Sequence, residues 1–209
     1  MSNNTNSHIS EKYLQSTKLI NSNNPAILKK AEELTNQFIP IEEKARQIFY
    51  FIRDKIRYIF RADSNEDQYL ASNILKKEGG FCTQKAILFC ALARACNIPA
   101  GIYFYDIVDY TLPQNFIDLL QTRTLYRHGI VALYLDGKWL KYDATLDSNL
   151  INRNNLIPVE FSPDRDCLMH EKTKTGERHI EYIKDYGLYS DLNFEEIKSW
   201  FKKYYPHLV

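Results

Sequence analysis

The chain has 209 residues, which is enough for one well-packed domain and short for two. Its formal net charge of +1 gives no electrostatic reason to expect binding to nucleic acid or to an anionic membrane. The four cysteines have no regular spacing and no apolar signal segment is present, so the sequence predicts free thiols and a cytoplasmic protein.

The N-terminal half of the chain has a helical pattern. Residues 1–22 are rich in Asn, Ser and Thr and are predicted to be a flexible tail. A helix is expected over residues 24–38, because proline stands at its first turn and apolar residues recur at helical spacing. Residues 41–60 repeat that spacing, and residues 70–77 form a shorter helix.

The stretch EGGFCTQKAILFCALARACNIPA, residues 78–100, places two glycines and a cysteine before a long apolar run. The glycines are expected to bend the backbone, and residues 83–96 are apolar on most faces, as in a buried helix. Asn97 is expected to end this helix in the left-handed conformation. Cys82 then lies at the helix N-terminus, where backbone N–H groups and the macrodipole favour a thiolate.

The other cysteines have a simpler interpretation. Cys90 and Cys96 lie within the apolar helix and are predicted to be inert core thiols. Together with Cys82 and Cys167 they form no C-x-x-C pair, and the five histidines are scattered. We therefore predict no metal site and no cofactor.

After the cysteine helix the pattern becomes that of strands. Residues 101–108, 128–135 and 138–145 are β-branched and aromatic, and a further strand is expected at residues 157–161. Asp136-Gly137 is a strong signal for a two-residue hairpin turn. Helices followed by strands indicate one α+β domain.

Two more helical segments lie in the second half of the chain. Residues 111–127 have an apolar and a polar face, and we predict that they form a cover over the site. A surface helix without a role in catalysis fits the same pattern. Asn193 is expected to cap a terminal helix. No linker divides the chain, so residues 23–209 are predicted to be one domain.

The hairpin brings a histidine and a carboxylate together. If Asp136-Gly137 is a two-residue turn, Asp143 lies opposite Ile130. His128 is two residues further along on the same face, which places the two Cβ atoms roughly 7 Å apart. A hydrogen bond to Asp143 would fix the tautomer of His128 and leave the other ring nitrogen for a thiol. His170 and His179 are rival bases, but no register argument supports them.

At these residues the chain resembles the transglutaminase-like superfamily of papain-related cysteine enzymes. The motifs are a cysteine that opens a buried helix ending in Ile-Pro-Ala, a strand that begins with His, and Trp-x-x-x-Asp-x-Thr after a hairpin. Here they read GGFCTQKAILFCALARACNIPA, HGIVALYLDGKW and WLKYDAT, and the resemblance covers residues 43–145. It implies that Cys82 is the nucleophile, His128 the base and Asp143 the orienting carboxylate. The implied fold is a cysteine helix packed on an antiparallel sheet.

The chain also departs from the family. Gly129 and Ile130 replace the usual small residue and Trp after the histidine, so an aromatic wall is expected from elsewhere. The resemblance does not extend over residues 150–209. The backbone N–H of Cys82 would form part of the oxyanion hole. Candidates for the second donor are upstream: Tyr58, Gln68 and Tyr69.

The sequence therefore predicts a cysteine-dependent hydrolase or acyltransferase. It would act through an acyl-enzyme on amide bonds, of peptide or glutamine type, or on thioesters, by hydrolysis or transamidation. The partner would be a peptide, a protein or a small amide or thioester substrate. The alternative is a catalytically silent transglutaminase-like module that binds a peptide or a protein. The sequence carries no signal for the oligomeric state.

Overall fold

Helices occupy the N-terminal half of the chain in the computed structural model, which describes residues 11–35, 39–61 and 65–208. The α-helices of this half are α1 (Pro25–Leu34), α2 (Ile41–Lys55), α3 (Ala71–Lys77) and α4 (Cys82–Ala95). A 3₁₀ turn, Glu66–Tyr69, precedes α3, and two short strands, β1 (Arg57–Tyr58) and β2 (Gly79–Gly80), pair in parallel. Asn24 caps α1 by accepting a hydrogen bond from the Ala26 N–H.

An antiparallel sheet follows. Its strands are β3 (Ala100–Asp109), β4 (Thr124–Leu135), β5 (Lys138–Tyr142) and β6 (Ile180–Tyr189), and they lie in the order β5-β4-β3-β6. Three α-helices connect or follow these strands: α5 (Gln114–Leu120), α6 (Ser148–Arg153) and α7 (Phe194–Tyr204). A last 3₁₀ turn covers Pro206–Leu208. No helix in the described part of the chain is both long and apolar enough to cross a bilayer.

Helix α4 lies at the centre of the molecule. Every residue from Thr83 to Arg94 is buried, as expected for a helix that is apolar on most faces. The helices α1, α2 and α3 pack on α4, and strands β3 and β4 also contact it. Asn97 has a φ of 61° and ends the helix in the left-handed conformation. The predicted α+β fold, with the cysteine helix on an antiparallel sheet, is confirmed.

The hairpin has the register that its turn residues predict. Asp136 and Gly137 have φ values of 44° and 77°, as both central residues of a type I′ turn require. Val131 pairs with Tyr142 on the adjacent strand. The next position therefore brings Asp143 to the level of Ile130.

The glycine pair before Cys82 has a different role from the one expected. The left-handed residue is Glu78, with a φ of 52°, which ends α3. Gly79 and Gly80 are extended and pair with Arg57 and Tyr58. A Cβ on Gly80 would lie 2.8 Å from the Cβ of Gln84, so glycine is required there by close approach and not by a bend.

The prediction of a flexible tail over residues 1–22 is wrong for residues 11–22. Leu19 and Ile20 are buried in the core, and Tyr13 is only 6% exposed. The Leu19 carbonyl accepts a hydrogen bond from the Ala71 N–H at 2.9 Å. These apolar side chains tie the segment to the domain despite its polar composition. Residues 1–10 lie outside the described residues.

The predicted strand at residues 157–161 is also absent, although Val159 is buried. Its carbonyl accepts a hydrogen bond from Arg53 Nη1 at 2.7 Å, and Tyr50 donates to Glu160. Side chains of α2 thus hold this segment, and it pairs with no strand. The fourth strand is formed instead by residues 180–189, a polar, tyrosine-rich segment in which the sequence pattern predicts no strand.

Candidate active site

His128 and Asp143 form a buried pair. His128 Nε2 lies 2.8 Å from Asp143 Oδ2, and the two side chains are 1% and 0% exposed. The other carboxylate oxygen, Oδ1, accepts a hydrogen bond from the Thr145 N–H at 3.1 Å. The Tyr182 hydroxyl donates to Oδ2 at 3.4 Å. The hairpin therefore brings His128 and Asp143 together, and Tyr182 on strand β6 makes a further contact to Asp143.

Cys82 is the first residue of α4, so its backbone N–H has no acceptor within the helix. The turn before it is held by Gln84, whose Oε1 accepts from the Phe81 N–H at 3.1 Å. Gln84 Nε2 donates to the Gln68 carbonyl at 2.9 Å. A single side chain thus fixes the backbone on which the thiol stands.

The three side chains influence one another's charge. Burial raises the pKa of the Cys82 thiol, but contact with His128, then with the Gly129 backbone and Thr83, brings it below its ordinary value. Burial lowers the pKa of His128, but Asp143 and Cys82 together raise it to about 10. Burial likewise raises the pKa of Asp143, and His128 and Thr145 lower it below its usual range. These directions favour a thiolate, an imidazolium and a carboxylate.

The protonation of His128 follows from this geometry. An ionised Asp143 is only an acceptor, so Nε2 of His128 must carry the proton between them. The opposite nitrogen, Nδ1, is buried and makes no hydrogen bond of normal geometry to any described residue. Because contact with His128 lowers the pKa of the Cys82 thiol, the two groups are neighbours without a well-formed hydrogen bond. Such contacts commonly tighten only when substrate binds.

Of the three candidates for the second oxyanion donor, only Tyr58 lies at the site. It lines the cavity beside Cys82, and burial and then the charge of Cys82 raise the pKa of its hydroxyl. Tyr69 is fully buried, with its ring against Phe81 and Phe194, so a substrate cannot reach it. The Gln68 side chain accepts from Lys77 Nζ at 3.4 Å and lines neither of the cavities at Cys82 and His128. Neither Gln68 nor Tyr69 therefore lies where its side chain could donate to a substrate bound at Cys82.

The C-terminal helix supplies an aromatic wall for the site. Such a wall was expected from elsewhere in the chain because Ile130 replaces the usual Trp. A narrow cavity of about 30 Å³ adjoins Cys82. Its lining residues from α7 are Ile197, Trp200, Phe201 and Tyr204. Tyr205 follows the helix, accepts from the Tyr126 N–H at 2.8 Å and so ties the C-terminal segment to β4. The amphipathic pattern of α7 was visible in the sequence, but the surface against which its apolar face packs was not.

The remaining predicted residues lie elsewhere. His179 is buried, and its Nδ1 lies 3.0 Å from the His170 carbonyl. It lines a cavity together with Asp143, and neither Cys82 nor His128 lines that cavity. Several side chains of the 111–127 insertion line a cavity that also contains His128: Leu112, Pro113, Phe116 and Leu119. No cluster of three or more metal-ligating side chains occurs within residues 11–35, 39–61 and 65–208.

Comparison with one solved structure supports the fold, and a second structure shows a weaker likeness. A solved structure from Cytophaga hutchinsonii, described as a "Putative Cysteine Protease", is 18% identical with a TM-score of 0.51, over 87% of this chain and 54% of that one. Another, from Parabacteroides distasonis ATCC 8503, is described as a "putative protease" and is 16% identical with a TM-score of 0.43. That match covers 64% of this chain and 25% of that one. This chain thus spans about half of the first protein and a quarter of the second.

The sequence comparisons are more specific. No curated protein matches the sequence at a significant level. The profile of the Transglutaminase-like superfamily matches residues 29–144, which is more than half of the chain and includes Cys82, His128 and Asp143. The resemblance of the motifs is therefore confirmed, and the chain belongs to the transglutaminase-like superfamily.

Proposed function

We propose that the protein is a cysteine enzyme that cleaves or forms amide or thioester bonds through an acyl-enzyme. The observation that supports this most directly is the arrangement of Cys82, His128 and Asp143 at one site. A thiol that opens a helix stands beside an imidazole whose far nitrogen contacts a buried carboxylate. This is the arrangement by which a thiol nucleophile is activated.

The first half of the reaction transfers the acyl group to the enzyme. The Cys82 thiolate attacks the carbonyl carbon, forming an S–C bond and moving the carbonyl electron pair onto oxygen. The Cys82 N–H and the Tyr58 hydroxyl donate to this oxyanion. When the intermediate collapses, the C–N bond breaks and the leaving nitrogen takes the proton from His128 Nδ1.

The second half releases the product. Water, or a second amine, gives a proton to His128 Nδ1 and attacks the thioester carbon. The C–S bond breaks, and the thiolate and the imidazolium are restored. The substrate in this proposal is a peptide, a protein or a small amide or thioester. The four cysteines form no disulfide, and free thiols fit a cytoplasmic enzyme.

The proposal is tested with a library of peptide amides, glutamine-type amides and thioesters. Turnover is measured for the parent and for Cys82→Ala, and the acyl-enzyme is sought by intact-protein mass spectrometry. Cys96→Ala is the matched control, since that thiol lies at the opposite end of α4 from Cys82 and contacts the Thr35 hydroxyl at 3.4 Å. We expect turnover and an acyl adduct in the parent and the control, and neither in Cys82→Ala.

The opposite result would identify a silent binding module. In that case no member of the library would acylate the parent, and iodoacetamide would label Cys82 at mildly acidic pH no faster than a free cysteine. A binding module has no use for a thiol of lowered pKa.

A further inference from the structure

A second, larger cavity, which we name the His128 chamber, adjoins the catalytic base. Its volume is about 340 Å³. The insertion contributes Leu112, Phe116 and Leu119 to its lining, and Leu146, Leu150 and Met169 also line it. His128, which is 1% exposed, and Tyr58 are also among its lining residues. The chamber is therefore an apolar space that borders the group assigned to proton transfer.

The chamber offers little to an anionic ligand. Among the described side chains that line it, the ionisable ones are Asp109, His128 and the Tyr58 phenol, whose pKa burial raises. Asp109 is 7% exposed, and its Oδ1 accepts hydrogen bonds from the N–H and the hydroxyl of Thr111, at 2.8 and 2.7 Å. His128 is held by Asp143. An anionic group that entered the chamber would thus lose water and find no basic side chain except His128, which Asp143 already holds, and this is costly.

The chamber and the cavity at Cys82 share a partition. Tyr58, Phe60 and Leu125 line both spaces. Cys82 lines the narrow cavity and His128 lines the chamber, so a bond under attack would lie at this partition. The acyl carbon bonds to the thiol, whereas the leaving nitrogen receives its proton from the imidazole. The chamber is therefore on the nitrogen side of the scissile bond.

We propose that the His128 chamber binds an uncharged, apolar substituent on the nitrogen side, carried by the leaving amine or by an acceptor amine. This rests on the proposed function, because the roles of Cys82 and His128 define the two sides. The volume is near the lower limit of small-molecule pockets, so the chamber accommodates one large aliphatic or aromatic group and not an extended peptide. The selected amines are alkyl and arylalkyl amines, and amines that carry a carboxylate are rejected.

The test measures how one acyl-enzyme divides between water and amine. The acyl-enzyme is formed from a nitrophenyl ester or a thioester and is first verified by mass spectrometry. Propylamine, butylamine, pentylamine and hexylamine are then compared, with 5-aminopentanoate as the charged analogue of pentylamine. Burial of each added methylene is expected to raise the ratio of aminolysis to hydrolysis by up to about fourfold, until the chamber is full. The charged analogue should react at least about tenfold less than pentylamine.

Two exposed residues provide matched variants. Leu119 is 44% exposed and lines the chamber, and Ile183 is 50% exposed on β6 and does not line it. Leu119→Asp places a charge in the wall of the chamber, so the ratio of aminolysis to hydrolysis should no longer rise with the length of the amine. In Ile183→Asp the ratio should rise with amine length as it does in the parent. Because the ratio is measured within one acyl-enzyme, a change in the rate of acylation does not affect it.

The failures are distinguishable. If the acyl-enzyme forms but the amine series is flat, or if Leu119→Asp leaves the series unchanged, the assignment of the chamber is overturned and the proposed function stands. If no ester or thioester acylates Cys82, the mass spectrum shows it before any amine is added. That outcome overturns the proposed function and, with it, the assignment of the chamber.

Discussion

A Cβ added to Gly129 would lie 3.1 Å from the Thr83 Cα, so strand β4 and the first turn of α4 are in direct contact. Gly129 follows His128, and Thr83 follows Cys82. The contact between these two residues therefore sets the spacing between the imidazole and the thiol. Glycine is required there by the close approach of two backbones, since Gly129 does not have a positive φ.

Gly129→Ala should lower activity by more than the loss of folding stability can explain. The new methyl must push the α4 backbone and Phe104 apart by a few tenths of an ångström, at a cost of about 1–3 kcal/mol in unfolding free energy. A displaced thiol should reduce kcat/KM by about 10- to 100-fold. Gly176→Ala is the control, because it strains a turn with a φ of 87° in open space. Equal activity losses in the two variants would contradict the role of the contact.

Asp143→Asn should remove most of the activity while the protein remains folded. The amide cannot stabilise the imidazolium, and it can hold His128 in the wrong tautomer. We expect kcat/KM to fall between about 10²- and 10⁴-fold. Asp185→Asn, which changes a carboxylate bonded to the Tyr103 hydroxyl on the sheet surface, serves as the comparison. A loss below tenfold in Asp143→Asn would argue against an orienting carboxylate.

The pH profile of kcat/KM should be bell-shaped. Below the lowered pKa of Cys82 the thiol is protonated and cannot attack, so activity rises with pH through that value. Above about pH 10, the pKa of His128, the imidazolium loses the proton that the leaving amine requires, and activity falls. Alkylation by iodoacetamide needs only the thiolate, so its rate should show the acid limb without the alkaline decline. An acid limb at the pKa of an ordinary thiol would contradict the ion pair.

Tyr182→Phe should weaken catalysis mildly and alter the His128–Asp143 hydrogen bond. The Tyr182 hydroxyl donates to Asp143 and accepts from the Met169 N–H at 3.2 Å, so its loss leaves the carboxylate with one donor fewer. We expect kcat/KM to fall by less than about tenfold, in keeping with one hydrogen bond to a charged group. The NMR chemical shift of the proton in the His128–Asp143 hydrogen bond should change. In Tyr103→Phe, which removes a surface hydroxyl, neither quantity should change.

Cys90 and Cys96 should react slowly with thiol reagents in the native protein. Cys90 is fully buried, and burial raises the pKa of its thiol to about 12. Cys96 is half-buried, and burial raises the pKa of its thiol as well. Time-resolved alkylation followed by peptide mapping should therefore modify Cys82 first. Alkylation of either core thiol as fast as Cys82 would contradict this order.

Short-range features could be predicted from the sequence. The Asp136-Gly137 turn allows one register of its two strands, because a two-residue turn determines which residues face each other along the whole hairpin. That register is why the pairing of His128 with Asp143 was predictable. The apolar run after Cys82 likewise predicted a buried helix, since such a surface is stable only away from water.

Long-range packing decided the rest. Tyr182 reaches Asp143 from a strand whose polar, half-exposed pattern does not distinguish it from a loop. The apolar face of α7 was visible in the sequence, but many surfaces could have covered it, and only the folded chain shows that it lies beside Cys82. Periodicity reports which face of an element avoids water. It carries no information about which distant element covers that face, because burial of apolar surface is non-directional.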